Sequence, residues 1–383
     1  MILQTIKYKN TQWDESLPSL DSENTLVLVF ASPKYIDFKK PIEELKNFYK
    51  KAKILGCSSA GEIIGAQILD DSLCVAVIKF EKTEIKSCKT EIQNAEDSFS
   101  AGKKIVNELN ADNLRGIFVL SDGLNVNGSE LVKGLNSKQL ENVVITGGLA
   151  GDGSVFKNTW SIYDGDIFTK SIIAVGFYGD HIRIGHGSRG GWDIFGPERR
   201  ITRSSSNILY ELDGQPALEL YKKYLGERAS NLPATGLLYP LAIRKNSEDN
   251  NQIVRTILGV DEKEQSLTFA GDMPLNYLAQ LMRANFDHII TAADEVGDIA
   301  SKSLPKRNSE NGNSLLAIAV SCVGRRLLLG ERSEEETEAT LSSLPAGTSQ
   351  IGFYSYGEIS PYTTGTCDLH NQTMTLTTIC ETD

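Results

Sequence analysis

The chain has 383 residues, 40% hydrophobic and 23% charged, which excludes a disordered polymer and, at ~150 residues per domain, allows two or three packed domains. Lys and Arg number 39 against 50 Asp and Glu, a net charge of −11; that sign repels phosphate backbones and anionic lipid, so nucleic-acid and membrane-surface partners are not expected. No apolar stretch approaches the ~20 residues of a membrane span, and the start MILQTIKYKNTQWDES turns polar too early for a secretory signal. A soluble, cytoplasmic protein is expected.

In chain order, LVLVF (26–30) reads as a strand buried on both faces. A helix follows over 41–51, with Pro41 near its start and Ile42, Leu45 and Phe48 on one stripe. A short strand at 53–55 then runs into GCSSAGEI, and LCVAVIKF (73–80) is the next strand. The same order returns as GIFVL (116–120), a helix at 129–135, VVIT (143–146), the loop GGLAGDG and SIIAVGFY (171–178). It returns again as LLAIAVSC, a helix over 333–344 with Ser333 as N-cap and an acidic first turn, SQIGFYSYGEI and MTLTTI (374–379). Between the second and third copies, HGSRGGWDIFGPERRITRSSSNIL is too apolar for a linker. ELDGQPALELYKKYLG then predicts a turn and a helix burying Ala217, Leu218, Tyr221 and Leu225. A further helix is expected over 275–286, and a polar surface loop over 300–313.

This is an internal repeat of strand, helix, strand, glycine-rich loop and strand. Its loops align as Gly56 to Glu62, Gly147 to Asp152 and Gly352 to Glu358, each with a second glycine (Gly61, Gly151, Gly357) followed by an acid (Glu62, Asp152, Glu358); FAGD at 269–272 is a partial echo. Equivalent loops leaving equivalent strands point to a shared pocket using Ser58, Ser59, Ser355 and Tyr356 as well. Alternatively, the glycines only let strands cross at a sheet edge.

No nucleotide-binding loop, HExxH or nucleophile elbow is present. The six cysteines (Cys57, Cys74, Cys88, Cys322, Cys367, Cys380) contain no CxxC pair, which excludes a disulfide scaffold or a spaced zinc site. Of four histidines, His181 reads as an exposed turn residue and His288 as a helix C-terminal cation. His186 lies in a glycine-rich run suited to binding. His370, Asn371 and Gln372, with Tyr354, Tyr356 and Tyr362 before them, combine donors and acceptors suited to a small polar ligand, to an axial haem contact through His370, or to a capped β-turn. A Ser58 or Ser355 nucleophile with His370 is the hydrolase alternative, and a pure protein-interaction scaffold a third.

VLVFASPKY, ILGCSSAGEI, RGIFVLSDG and VITGGLAGDG resemble the N-terminal half of the FIST family of sensory domains; ELDGQPALELYKKYLG, LTFAGDMPLNYLAQLMRAN, IGFYSYGEISP and LHNQTMTL resemble its C-terminal half. The resemblance implies a non-enzymatic ligand sensor of signal transduction, divided into an N-terminal extension (1–24), an N-terminal domain (25–213) and a C-terminal domain (214–383). It implies a small ligand such as an amino acid or, in a stand-alone branch, nitric oxide on bound haem; no family motif fixes the iron ligand, and the residues themselves offer His370, then His186, as candidates. Output would pass to a separate histidine kinase or cyclic-di-GMP enzyme. The fold expected is α+β, two intimately packed pseudo-repeated halves with mixed sheets faced by helices.

Overall fold

The computed structural model describes residues 1–138, 140–249, 251–302, 304, 314–361 and 366–382; Tyr362 and most of the loop expected at 300–313 lie outside the described residues. The architecture is the expected mixed α+β arrangement, and its pseudo-symmetry runs over the three copies of the repeat.

In the first copy, Thr25–Ala31 and Lys53–Ser58 are parallel, joined through helix Lys40–Phe48. Leu73–Lys79 pairs antiparallel on the other side of Thr25–Ala31, and Ile2–Lys9 pairs beyond it. Of the segment before residue 25, Ile2–Lys9 and Gln12–Trp13 are strands of the first sheet. The second copy repeats the order with Leu114–Ser121, helix Gly128–Leu135, Val144–Leu149, Ser171–Tyr178 and the outer strand Glu84–Glu91. The third uses Leu315–Cys322, helices Val323–Leu329 and Ser333–Ser342, Thr348–Ser355, Met374–Glu381 and the outer strand Ile182–Arg189. Ser333 opens its helix but does not cap it: its hydroxyl donates to the Gly330 carbonyl at 2.7 Å.

Each copy sends a short hairpin onto a neighbour. Glu62–Ile64 and Gln67–Leu69 extend the third sheet at Thr348–Ser355, Gly357–Ser360 and Asp368–His370 extend the second at Val144–Leu149, and Ser161–Tyr163 and Asp166–Phe168 extend the first at Lys53–Ser58. The exchange is cyclic, and each hairpin covers the edge that a neighbour's parallel strand would expose.

The continuous apolar runs follow from this layout. Successive strand side chains face opposite ways, and both faces are buried. Leu26, Leu28 and Phe30, Phe118 and Leu120, and Leu316, Ile318 and Val320 meet in one central core, where Phe30 stacks on Phe353 at 4.7 Å. The alternate residues, Val27 and Val29, Ile117 and Val119, and Ala317 and Ala319, pack in the outer clusters under the helices. Gly56, Gly147 and Gly352 sit opposite Val29, Val119 and Ala319 in register, where an added Cβ would fall 2.2, 1.8 and 1.9 Å from the facing carbonyl oxygen. Gly352→Ala is therefore expected to lower stability by about 1–3 kcal/mol through overpacking, read as a lower urea midpoint. An unchanged midpoint would show that the strand spacing is not set by the missing side chain.

An antiparallel sheet built on the long strand Asp193–Ser205 is inserted between Arg189 and helix Phe286–Ser301. Helix Ala217–Leu225 buries Ala217, Leu218, Tyr221 and Leu225 against it. Asp213 (φ 51°) and Gly214 (φ 74°) form the two-residue turn between Ile208–Leu212 and Gln215–Pro216. The helix expected over 275–286 is corrected: Leu278–Arg283 is a strand of this sheet, and the helix begins at Phe286, where the Asn285 side chain accepts from the Asp287 and His288 amides. His288 therefore stands in the first helical turn, not the last, with Nδ1 2.6 Å from Asp193 Oδ1.

Candidate functional site

The glycine-rich loops meet at the centre of the three copies. Gly151 N–H donates to the Ser58 carbonyl (3.0 Å), Ala60 N–H to that of Tyr354 (2.8 Å) and Tyr356 N–H to that of Leu149 (3.1 Å), a closed ring of backbone bonds. Glu62 and Glu358 occupy equivalent hairpin positions, paired with Phe353 and Gly148. Register shows that their counterpart in the second copy is Ser161, paired with Cys57. Asp152 instead begins an insertion there, accepting from the Phe156, Lys157 and Asn158 amides and from the Tyr356 hydroxyl. Burial pushes the Asp152 carboxyl up, but these donors outweigh it and hold the group below its ordinary value.

Glu62 accepts from the Ser59 hydroxyl and from Ser72 Oγ (2.6 Å) and N (3.2 Å). Glu358 accepts from Ser355 Oγ (2.7 Å) and from Thr373 Oγ1 (2.9 Å) and N (3.3 Å); in the second copy a Ser161–Ser171 hydroxyl bond (2.6 Å) takes this place. Both glutamates are fully buried. Desolvation wins over their donors and raises them to about 7 for Glu62 and about 8 for Glu358. These clusters tie each hairpin to the strand it leaves, a structural use of Ser59, Glu62, Ser355 and Glu358.

Beside the ring lies a cavity of about 570 Å³, enclosed by the second copy, the third copy and the inserted sheet. Its walls are mainly apolar, and its mouth carries Phe156, Leu258 and Leu327, each about half exposed. Phe156 stacks on Tyr356 at 4.7 Å. The polar groups are few: Asn127, Asn207, Thr256, Asp272 and Tyr356. Asp272 accepts from Asn127 Nδ2 (3.3 Å) and pairs with Lys133 (3.2 Å), while its carbonyl accepts from Arg255 Nε (3.2 Å). Arg255 also donates to the Leu369 carbonyl (2.9 Å), so two ion-supported clasps hold the three walls together. Size, apolar lining and sparse polar groups are those of a small-molecule site.

Of the expected site residues only Tyr356 borders this cavity. Gly151 and Gly357 are in the adjoining ring, and Ser58, whose Oγ accepts from the Trp160 amide (3.2 Å), is in the first copy. His370 is fully buried in its hairpin, its Nε2 2.9 Å from the Ser360 carbonyl, and burial lowers it to about 4. Neither Ser58 nor Ser355 is hydrogen-bonded to it among the described contacts. His186 lies half-buried in the outer strand opposite Thr377, its pKa lowered by burial; His181 Nδ1 meets the Thr382 carbonyl at 3.1 Å. These residues do not fit a haem in the cavity: no histidine lines it, Tyr356 is engaged by Asp152, and burial keeps the lining Cys322 thiol protonated. Among the described residues no three His, Cys, Asp or Glu side chains gather as a metal site, and no helix is long and apolar enough to cross a membrane.

Sequence reasoning missed Asn127, Thr256, Gly324 and Leu327 as wall residues. The one available signal was FAGD, whose four residues all line the cavity.

Comparison with known proteins bears on this architecture. A solved cyanuric acid hydrolase from A. caulinodans is 12% identical, with a TM-score of 0.18 over 79% of this chain and 100% of that one, a likeness too slight to carry an argument. An uncharacterized protein, MJ1623, of Methanocaldococcus jannaschii is 28% identical over 207 residues. That match covers 49% of this chain and 38% of the relative's length. The FIST N domain matches residues 25–215 and the FIST C domain residues 217–361, so the chain belongs to the FIST family.

Proposed function

We propose that this chain senses a small molecule held in the 570 Å³ cavity and reports its occupancy to a separate signalling enzyme, a histidine kinase or a cyclic-di-GMP enzyme. The observation that carries the reading is the cavity itself, a mainly apolar space walled by three parts of the chain. A ligand there touches all three and so favours the arrangement that encloses it. Membership of a family of sensory domains supports the same reading. The wall helix Val323–Leu329 is the natural relay. Its Arg326 donates to the Ala60 carbonyl (2.6 Å) and pairs with Asp70 (2.7 Å), so displacement of Val323 or Leu327 is felt in the first copy.

Leu327 is half exposed, so Leu327→Trp fills the mouth at little cost to folding. Compounds that raise the melting temperature of the wild type by mass action are expected to lose that effect in this variant while its unliganded melting temperature stays unchanged. Equal stabilisation of both proteins would place the ligand elsewhere.

A further inference from the structure

The inner wall of the cavity includes Gly324, and behind it stands the Gln372 amide. A Cβ on Gly324 would lie 2.5 Å from Gln372 Nε2 and 3.0 Å from Oε1. Gln372 is fully buried, holds a left-handed backbone (φ 60°), and neither amide heteroatom has a hydrogen-bond partner among the described residues. Asn371, equally buried, is the same: its Oδ1 and Nδ2 are unpartnered, and Nδ2 would lie 3.6 Å from a Cβ on Gly357, beside the wall residue Leu149. Thr256 Oγ1 is a further buried, unpartnered wall atom. Two adjacent buried amides with four unmet hydrogen-bonding atoms are destabilising unless something uses them. The charges nearest the cavity are already engaged, Asp272 by Lys133 and Asn127, and Arg255 by the Asp272 and Leu369 carbonyls. Among the described residues that line the cavity there is no Lys or Arg to meet a carboxylate.

We propose that Asn371 and Gln372, uncovered by a small displacement of Gly324, read the head group of the cavity's ligand, and that this ligand is a neutral carboxamide or lactam on a flat apolar body. The inference rests on the cavity being the ligand site. A carboxamide presents a donor beside an acceptor, the complement of a glutamine or asparagine side chain. A carboxylate offers only acceptors and brings a charge that nothing in the cavity neutralises. The apolar body lies along the Phe156–Tyr356 stack and Leu327. Gly324 has its role in this arrangement, because any side chain there would occupy the space between ligand and amide.

Benzamide, benzoate and toluene share one flat body and differ only in the head group, so NMR titration of the full chain with the three separates the terms. Benzamide is expected to bind at least about tenfold more tightly than benzoate. Gln372→Met, of similar length but apolar, is expected to remove that preference while keeping or raising the unliganded melting temperature; Asn371→Leu provides the same test at the second amide. Benzoate binding as well as benzamide, or benzamide binding unchanged in both variants, would overturn the assignment. Toluene that binds the wild type and is excluded by Leu327→Trp, with no gain from the amide, would leave the cavity standing as a site and refute the head-group reading. No binding of any of the three would refute both.

Discussion

Arg325→Met is expected to lower the unfolding free energy by about 3–5 kcal/mol, the range for leaving one partner of a buried ion pair alone. Arg325 and Glu336 are both wholly buried, with Nε 2.6 Å from Oε1. The remaining guanidinium nitrogens donate to the Gly190, Gln372 and Ile289 carbonyls, while Glu336 Oε2 accepts from Ser321 Oγ (3.1 Å) and the Tyr354 hydroxyl (3.1 Å). One side chain thus joins the cavity-wall helix to the Asn371–Gln372 turn, to helix Phe286–Ser301 and to the chain entering the inserted sheet. Methionine keeps most of the volume and removes every donor, so it leaves the buried Glu336 carboxylate without its cation and takes one donor each from the Gly190, Ile289 and Gln372 carbonyls. Urea unfolding followed by the fluorescence of Trp160 and Trp192 gives the difference. The double variant Arg325→Met with Glu336→Leu is expected to recover much of the loss, because replacing a whole buried pair by apolar groups is often close to neutral. A single variant within about 1 kcal/mol of the wild type would mean that the pair is not desolvated as described.

The repeat was legible because its signal is local. Strands buried on both faces leave unbroken apolar runs at LVLVF, GIFVL and LLAIAVSC, and Gly56, Gly147 and Gly352 recur where the neighbouring carbonyl leaves no room for a side chain. The cyclic exchange of hairpins was not legible. Its strands are three or four residues long, and a pairing such as Glu62 with Phe353 joins positions far apart in sequence. The loop alignment went astray at Asp152 for a related reason: the insertion before Ser161 moves the true counterpart of Glu62 downstream, and only register reveals it. Residues 275–286 carry apolar positions that serve a helix or a strand equally, and pairing with Asp193–Ser205 and Leu241–Arg244 decides for the strand. At the site, the residues of the polar cluster His370, Asn371 and Gln372 stand in different surroundings. His370 spends its Nε2 on Ser360 within its own hairpin, whereas the Asn371 and Gln372 amides, next to the cavity, have no hydrogen-bond partner among the described residues. Beyond FAGD the cavity has no short-range signature, since its walls come together only when the second copy, the third copy and the inserted sheet pack.

Stability is expected to fall by about 2 kcal/mol between pH 6.5 and pH 8, a window set by Glu62 and Glu358. Both carboxyls are charged in the unfolded chain well below pH 6.5, but burial raises them to about 7 and about 8 in the folded protein. The native state therefore binds more protons than the unfolded state across this window, and the slope of unfolding free energy with pH is negative, at about 1.4 kcal/mol per pH unit for each carboxyl that is protonated only when folded. His370 acts in the opposite sense: its native value is lowered to about 4, so its contribution grows as pH rises through the ordinary imidazole value of 6.5 and levels off about one unit above it. Glu381, lowered to about 2 despite its burial by the Glu81, Lys82 and Thr83 amides and the N-terminal ammonium, loses its contribution only in acid. Above 6.5 the Glu381 contribution is constant and His370 opposes the decline by only about 0.4 kcal/mol. Urea midpoints taken every half unit from pH 6.5 to 8 read the slope directly. Glu358→Gln, which keeps the size of the group and removes its titration, is expected to reduce the decline to roughly a third, and Glu62→Gln to remove the smaller share. A flat profile in the wild type, or an undiminished slope in Glu358→Gln, would show that these two carboxyls stay ionised in the core, held by the Ser and Thr donors that surround them.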